Sequence, residues 1–244
     1  MRSLKPGWYV LAAVTVYAVV VSLLLFGRGP DGGAEGAATG TSGSESPPSP
    51  VARTTSRAPT GMWYPLPGAR LPGSDTNLPG APREYRDGVS EGFDFVDGDI
   101  DVPVPYGGAV IAAADGQVIR ADTTYVELSS EEWAALLEDV TDGATEEQLD
   151  QLRGRQVWLL TEDGRTLRYG HLSRVASGVT NGRSVYRGQV IAYVGNSGTD
   201  AGVTGREDGA RLRFEVWAED DTYFGEGLSP EEVRLEAASL FVGP

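Results

Sequence analysis

Apolar positions along this chain fall into three regimes. Residues 8–26 form an unbroken apolar and mildly polar run without a charge. As a helix rising about 1.5 Å per residue, such a run spans close to the roughly 30 Å hydrocarbon layer of a bilayer. Arg2 and Lys5 precede it, and Trp8 and Tyr9 suit an interface. The pattern therefore predicts a transmembrane helix over 8–26 with residues 1–7 cytoplasmic and the rest of the chain outside. A cleaved signal peptide is the weaker reading, because Phe26-Gly27-Arg28-Gly29-Pro30 offers no small-residue cleavage site. Residues 27–79 then turn to Gly, Ser, Thr, Pro and Ala, too poor in large apolar groups to offset ordering entropy, and are expected to be a flexible linker. Within it, Met62-Trp63-Tyr64-Pro65-Leu66 is an apolar patch that either docks on the following domain, the favoured reading, or binds a partner.

Residues 80–244 read as one domain. Short β-like runs at 102–105, 109–113, 117–121, 157–161, 166–171, 185–194 and 211–218 are expected strands. Asp115-Gly116, Asp163-Gly164 and Asn181-Gly182 mark tight turns between them. That spacing predicts an all-β core, a sandwich or barrel rather than an α/β fold. Over 129–153 the period changes to helical. Ser129-Ser130 lead into an acidic first turn, and Thr145-Glu146-Glu147-Gln148 reads as a capping box before Leu149 and Leu152. This acidic insertion is expected either to pack as a solvated hairpin on the sheet through Trp133, Leu136, Leu137, Leu149 and Leu152, or to cover a cleft or dock a partner. Ser229-Pro230-Glu231-Glu232 opens a final helix.

Composition narrows the function. A net charge of −15 and a sequence pI near 4.4 disfavour a nucleic-acid partner, which needs a basic surface. No cysteine is present, Lys5 is the only lysine and His171 the only histidine. Phosphate loops, dinucleotide glycine motifs and Ser or Cys nucleophile elbows are absent from the sequence. A hydrolytic zinc site draws about three ligands from His, Cys and carboxylate, and here the nitrogen and sulfur donors are nearly gone.

Several segments, in order, nonetheless resemble the lysostaphin-type (LytM) zinc endopeptidases, which cut peptidoglycan cross-links. Ser90-Glu91-Gly92-Phe93-Asp94 is similar to the family's His-x-Gly-x-Asp motif, Tyr169-Gly170-His171-Leu172 to its Tyr-x-His-Leu motif, and Arg211-Leu212-Arg213-Phe214-Glu215 to its His-Leu-His-Phe-Glu strand. Residues 110–118 and 187–195 resemble its strand–turn–strand signatures. The resemblance spans residues 80–217 and implies a duplicated-hybrid-motif β fold. It places Ser90, Asp94 and Arg213 at the former metal-site positions and His171 and Arg211 at the former catalytic ones. Only Asp94 and His171 match the functional residues. A guanidinium stays protonated and offers a metal no lone pair, and serine is a poor ligand for zinc.

The chain is therefore identified as a degenerate metallopeptidase homologue, a pseudo-enzyme with no cofactor and no active catalytic residue. His171 is read as a structural remnant. Arg213 is expected to pair with Asp94 where the family holds its metal, the other possibility being that both arginines point to solvent. The implied role is a single-pass membrane protein whose extracytoplasmic domain binds peptidoglycan or a cell-wall or envelope protein, regulates hydrolases or assembles envelope complexes. A divergent active zinc endopeptidase using Asp94, His171 and carboxylates such as Glu91 or Glu215 is the alternative. A hybrid-barrel transport adaptor is the third, since 187–195 also resembles biotinyl and lipoyl domains. The domain has no lysine to carry such a cofactor, and no long heptad array is present.

Overall fold

Strand alternation sets the architecture of the computed structural model, which describes residues 61–243. The first strands are β1 (Pro82–Arg83), β2 (Gly88–Val89), β3 (Phe93–Val96), β4 (Ala109–Ile111) and β5 (Gly116–Ala121). A helical pair, α1 (Ser130–Asp139) and α2 (Glu146–Arg153), interrupts them. Then come β6 (Val157–Leu160), β7 (Thr166–Gly170), β8 (Leu172–Val175), β9 (Ser184–Val185), β10 (Val190–Val194), the short α3 (Asp200–Val203), β11 (Arg211–Trp217) and α4 (Pro230–Leu240). Among the described residues a six-stranded sheet runs β3-β11-β7-β6-β5-β9, a three-stranded sheet β4-β10-β8 and a ribbon β1-β2, all antiparallel. The core is all-β and LytM-like, with a few helices at its edges.

One face of the large sheet is apolar. Phe93 and Phe95 of β3, Leu167 and Tyr169 of β7, and Leu212 and Phe214 of β11 are buried there. Their rings form an aromatic cluster with Phe241: Tyr169 lies 5.1 Å from Phe214, and Phe93 meets Phe241 edge-on at 5.6 Å. Alternation then obliges Asp94, Arg168, Arg211, Arg213 and Glu215 to share the opposite face. That is the face where chemistry could occur.

Three expectations are corrected. The linker ends well before residue 79: Met62 and Leu78 are essentially fully buried, and Leu66 and Ala69 nearly so. Met62 takes its backbone bonds from the chain end, its N–H donating to Leu240 and its carbonyl accepting from Val242, while Tyr64 stacks on Phe241 at 4.4 Å. The apolar patch docks, and the unit it joins is one body with residues 80–243. Residues 102–105 form no strand, because Pro103 and Pro105 lack the N–H a ladder needs. Residues 185–194 are two strands, split by a turn in which Gly188 takes φ +85° and the Gln189 N–H donates to the Tyr186 carbonyl.

The insertion has two helices with capping boxes, Ser129 with Glu132 and Thr145 with Gln148. Each such cap is worth about 1 kcal/mol. Its apolar residues do not join the sheet core. Leu136, Val140, Leu149 and Leu152 form a separate small cluster, with Trp133 and Leu137 against it. No helix among the described residues is long and apolar enough to cross a membrane. The helix expected at 8–26, with residues 1–7 and the linker through 60, lies outside the described residues.

Candidate functional site

Register brings the separated motifs together. β11 lies between β3 and β7, pairing Arg213 with Asp94 on one side and with Gly170 on the other. His171 follows directly, in the left-handed region at φ +57°. A bulky residue rarely adopts that conformation without being held there. Here its N–H donates to the Arg153 carbonyl at 2.8 Å, and its ring Nδ1 bonds the Ser197 carbonyl at 2.8 Å. Upstream, Gly92 passes so close to Phe214 and Glu215 that a Cβ would strike the β11 backbone, which explains the glycine within Ser90-Glu91-Gly92-Phe93-Asp94. All five expected positions therefore converge: Ser90, Asp94, His171, Arg211 and Arg213 lie together, four of them buried.

What fills their centre is a guanidinium. Arg213 Nη1 donates to Ser90 Oγ at 2.7 Å and reaches both Asp94 oxygens at 3.3 Å, while its Nε donates to Glu215 Oε1 at 3.0 Å. A second guanidinium, Arg83, donates from Nη2 to Asp94 Oδ2 at 2.6 Å and to Ser90 Oγ at 3.1 Å. Burial alone would raise the Asp94 pKa, but Arg213 and Arg83 hold it below the usual carboxylate range. Glu215 behaves likewise: burial works against ionisation, yet Arg153 and Arg213 hold it at about 2. His171 is pushed down to about 4 by burial and then by Arg211. Its ring is thus neutral near pH 7.

Arg153, the last residue of α2, ties the insertion into this network. Its Nε donates to Glu215 Oε1 at 3.0 Å and its Nη2 to Glu91 Oε2. Burial raises the Glu91 pKa, against the pull of Arg153. Directly after α2, Gly154 takes φ +66° against the backbone of Ser197, where a side chain would clash. Trp133, Leu137, Leu149 and Leu152 of the helical pair line a cleft of about 740 Å³ that also contains Asp94, His171, Arg211 and Arg213. The insertion is a wall of the site.

Arg83 and Arg153 were invisible in the motifs. Arg153 carried a faint signal, a basic residue in the last turn of an otherwise acidic helix. Nothing in the spacing pointed to Arg83.

The residues present do not fit zinc. Of the three positions where the resemblance leads one to expect metal ligands, two are a hydroxyl and a guanidinium, and both oxygens of the third, Asp94, already accept from arginine. Among the described residues no three His, Asp or Glu side chains converge on a point that could hold a metal. Cations crowd the position that would have to attract one.

Residues 97–224 match the protein family described as peptidase family M23. Among solved structures, the chain is similar to a zinc-containing peptidase from Vibrio cholerae, at 21% identity and a TM-score of 0.42, over 67% of this chain and 38% of that one. It is similar to the catalytic domain of the antimicrobial peptidase lysostaphin from Staphylococcus simulans, at 19% identity and a TM-score of 0.37, over 64% of this chain and 81% of that one. A third is the catalytic domain of a prophage-encoded M23 protein from Enterococcus faecalis, at 17% identity and a TM-score of 0.40, over 68% and 95%. The sequence finds no match among curated proteins.

Proposed function

The chain belongs to peptidase family M23, and from that membership we propose that it is a non-catalytic member, a membrane-anchored domain that binds peptidoglycan or an envelope protein instead of cutting it. One observation carries the reading: Arg213 bridges Ser90, Asp94 and Glu215 at the place where the family's zinc ligands are expected. Its guanidinium supplies positive charge beside a buried carboxylate, the electrostatic service of a metal. It cannot activate water or polarise a peptide carbonyl as a Lewis acid would. A divergent peptidase would need Glu91 or Glu215 free to act, and both accept hydrogen bonds from Arg153. His171 keeps a neutral ring, bonded to Ser197, with no nucleophile to serve.

The test is metal content. After incubation with zinc and desalting, the unmodified protein is expected to retain none. The triple variant Ser90→His, Arg211→His, Arg213→His is expected to retain zinc stoichiometrically, because two imidazoles and Asp94 restore a three-ligand set. Arg213→His alone leaves one imidazole and Asp94, and is expected not to. Stoichiometric zinc in the unmodified protein would sink the non-catalytic reading. A folded triple variant without zinc would sink the placement of the ligand positions.

A further inference from the structure

Among the described residues, one cation in the cleft has no partner. Glu91, Asp94 and Glu215 are matched by Arg153, Arg83 and Arg213, and Arg86 donates to the Val89 carbonyl. Arg211 forms no ion pair among the described residues, and its Nε is buried without a hydrogen-bond acceptor. It is half-buried, on the same face of β11 as Arg213, and its backbone is fixed by pairing with Val96 and by an N–H donated to the Gly195 carbonyl at 2.8 Å. A desolvated donor left unbonded is costly, and a carboxylate satisfies a guanidinium through two parallel bonds.

The walls around Arg211 combine apolar surface with charged groups. In the cleft of about 740 Å³ the insertion contributes Trp133 and Leu137. Arg211 also lines a second cavity, of about 690 Å³, whose walls include Val104, Pro105 and Tyr106 together with the carboxylates of Asp97 and Glu207. A lone inorganic anion would use none of this apolar surface. The protein as a whole carries −15, so attraction of an anion here is local.

We propose that Arg211 anchors a carboxylate of a bound peptide, with Trp133 and Leu137 packing on the residue that bears it. This rests on the non-catalytic, ligand-binding reading of the site and names the chemical group recognised. The carboxylate could belong to a chain terminus or to an acidic side chain, and the two are separable.

The experiment is calorimetry on the full-length protein in detergent, with acetyl-Ala-Ala, its C-terminal amide, acetyl-Ala-Glu amide and sodium acetate as probes. At least one carboxylate-bearing peptide is expected to bind about tenfold more tightly than the acetyl-Ala-Ala amide. Whichever peptide binds more tightly identifies the source of the carboxylate. Arg211→Gln is expected to abolish the preference and Arg211→Lys to keep part of it. Trp133→Ala is expected to weaken the peptide without changing acetate. The imidazole resonances of His171, the chain's only histidine and a residue of the same cleft, are expected to shift with the acid and not with the amide. Equal binding of acids and amide, no binding of either, or acetate binding as tightly as the peptides would overturn the proposal on the unmodified protein alone, even if a variant failed to fold. A preference surviving in folded Arg211→Gln would overturn the role of Arg211. Retained zinc would defeat the non-catalytic reading separately, since calorimetry with peptides does not depend on metal content.

Discussion

An arginine at position 213 of β11 governs how the acidic groups beside the strand are held. Asp94 and Glu215 stay ionised in a buried setting only because Arg83, Arg153 and Arg213 surround them. The pH dependence follows from which proton is bound in which state. His171 has a folded pKa of about 4 against 6.5 unperturbed, so the unfolded chain binds the extra proton between these values. Its contribution to stability is complete above pH 6.5 and is lost as pH falls toward 4. Glu215, at about 2 against 4.5, contributes fully above 4.5 and loses that contribution as pH falls toward 2. Asp94 adds in the same sense, and Glu91, its pKa raised by burial, acts in the opposite one. Thermal midpoints are therefore expected to decline from pH 6.5 downward in two overlapping limbs. His171→Asn, which tolerates a left-handed backbone, is expected to remove the upper limb. A flat profile from pH 6.5 to 4.5 in the unmodified protein would contradict the buried neutral histidine.

At the scale of elements, the helical insertion is held by its last turn. Arg153 bonds Glu215 and Glu91 by its side chain and His171 by its carbonyl, so α2, β11 and the β7–β8 turn meet at one residue. The apolar residues of the insertion pack mainly on one another, and Asp150 of α2 also accepts from Arg120 of β5 and from Gln156. Arg153→Ala strands two carboxylates in a poorly hydrated place, and losing one partner of a buried ion pair costs about 3–5 kcal/mol. Denaturant titration is expected to show a loss of that size, with faster proteolytic nicking around residues 141–144, between the helices. A loss below about 1 kcal/mol would mean the insertion is held by other contacts.

For the whole molecule, residues 27–61 separate the apolar run ending at Phe26 from the buried Met62 of the packed body. We propose that this run anchors the chain with the domain outside the cytoplasm, as the flanking Arg2 and Lys5 favour. Protease added to intact spheroplasts is expected to digest the domain. Full protection, with digestion only after lysis, would place it on the cytoplasmic side.

The sequence alone was enough for the all-β core, because Phe93-Asp94-Phe95 and Leu212-Arg213-Phe214-Glu215 alternate with the period of a strand buried on one face. It was enough for the helix caps, which depend on residues three apart, and for the family, which depends on ordered motifs. It favoured docking of residues 62–66 yet set the start of the packed body at residue 80, since Met62 and Leu78 are buried by partners far along the chain, among them Phe241 and its neighbours in α4. Nor could it tell which arginine meets which carboxylate. Arg213 and Arg211 are two residues apart on the same strand face, yet among the described residues one bridges three side chains and the other has none. Their difference comes from strand register and from Arg83 and Arg153, which approach from the end of β1 and from the insertion. Local pattern fixes which face a side chain takes; only the tertiary structure decides what waits there, because ion pairs act through space and carry no period along the chain.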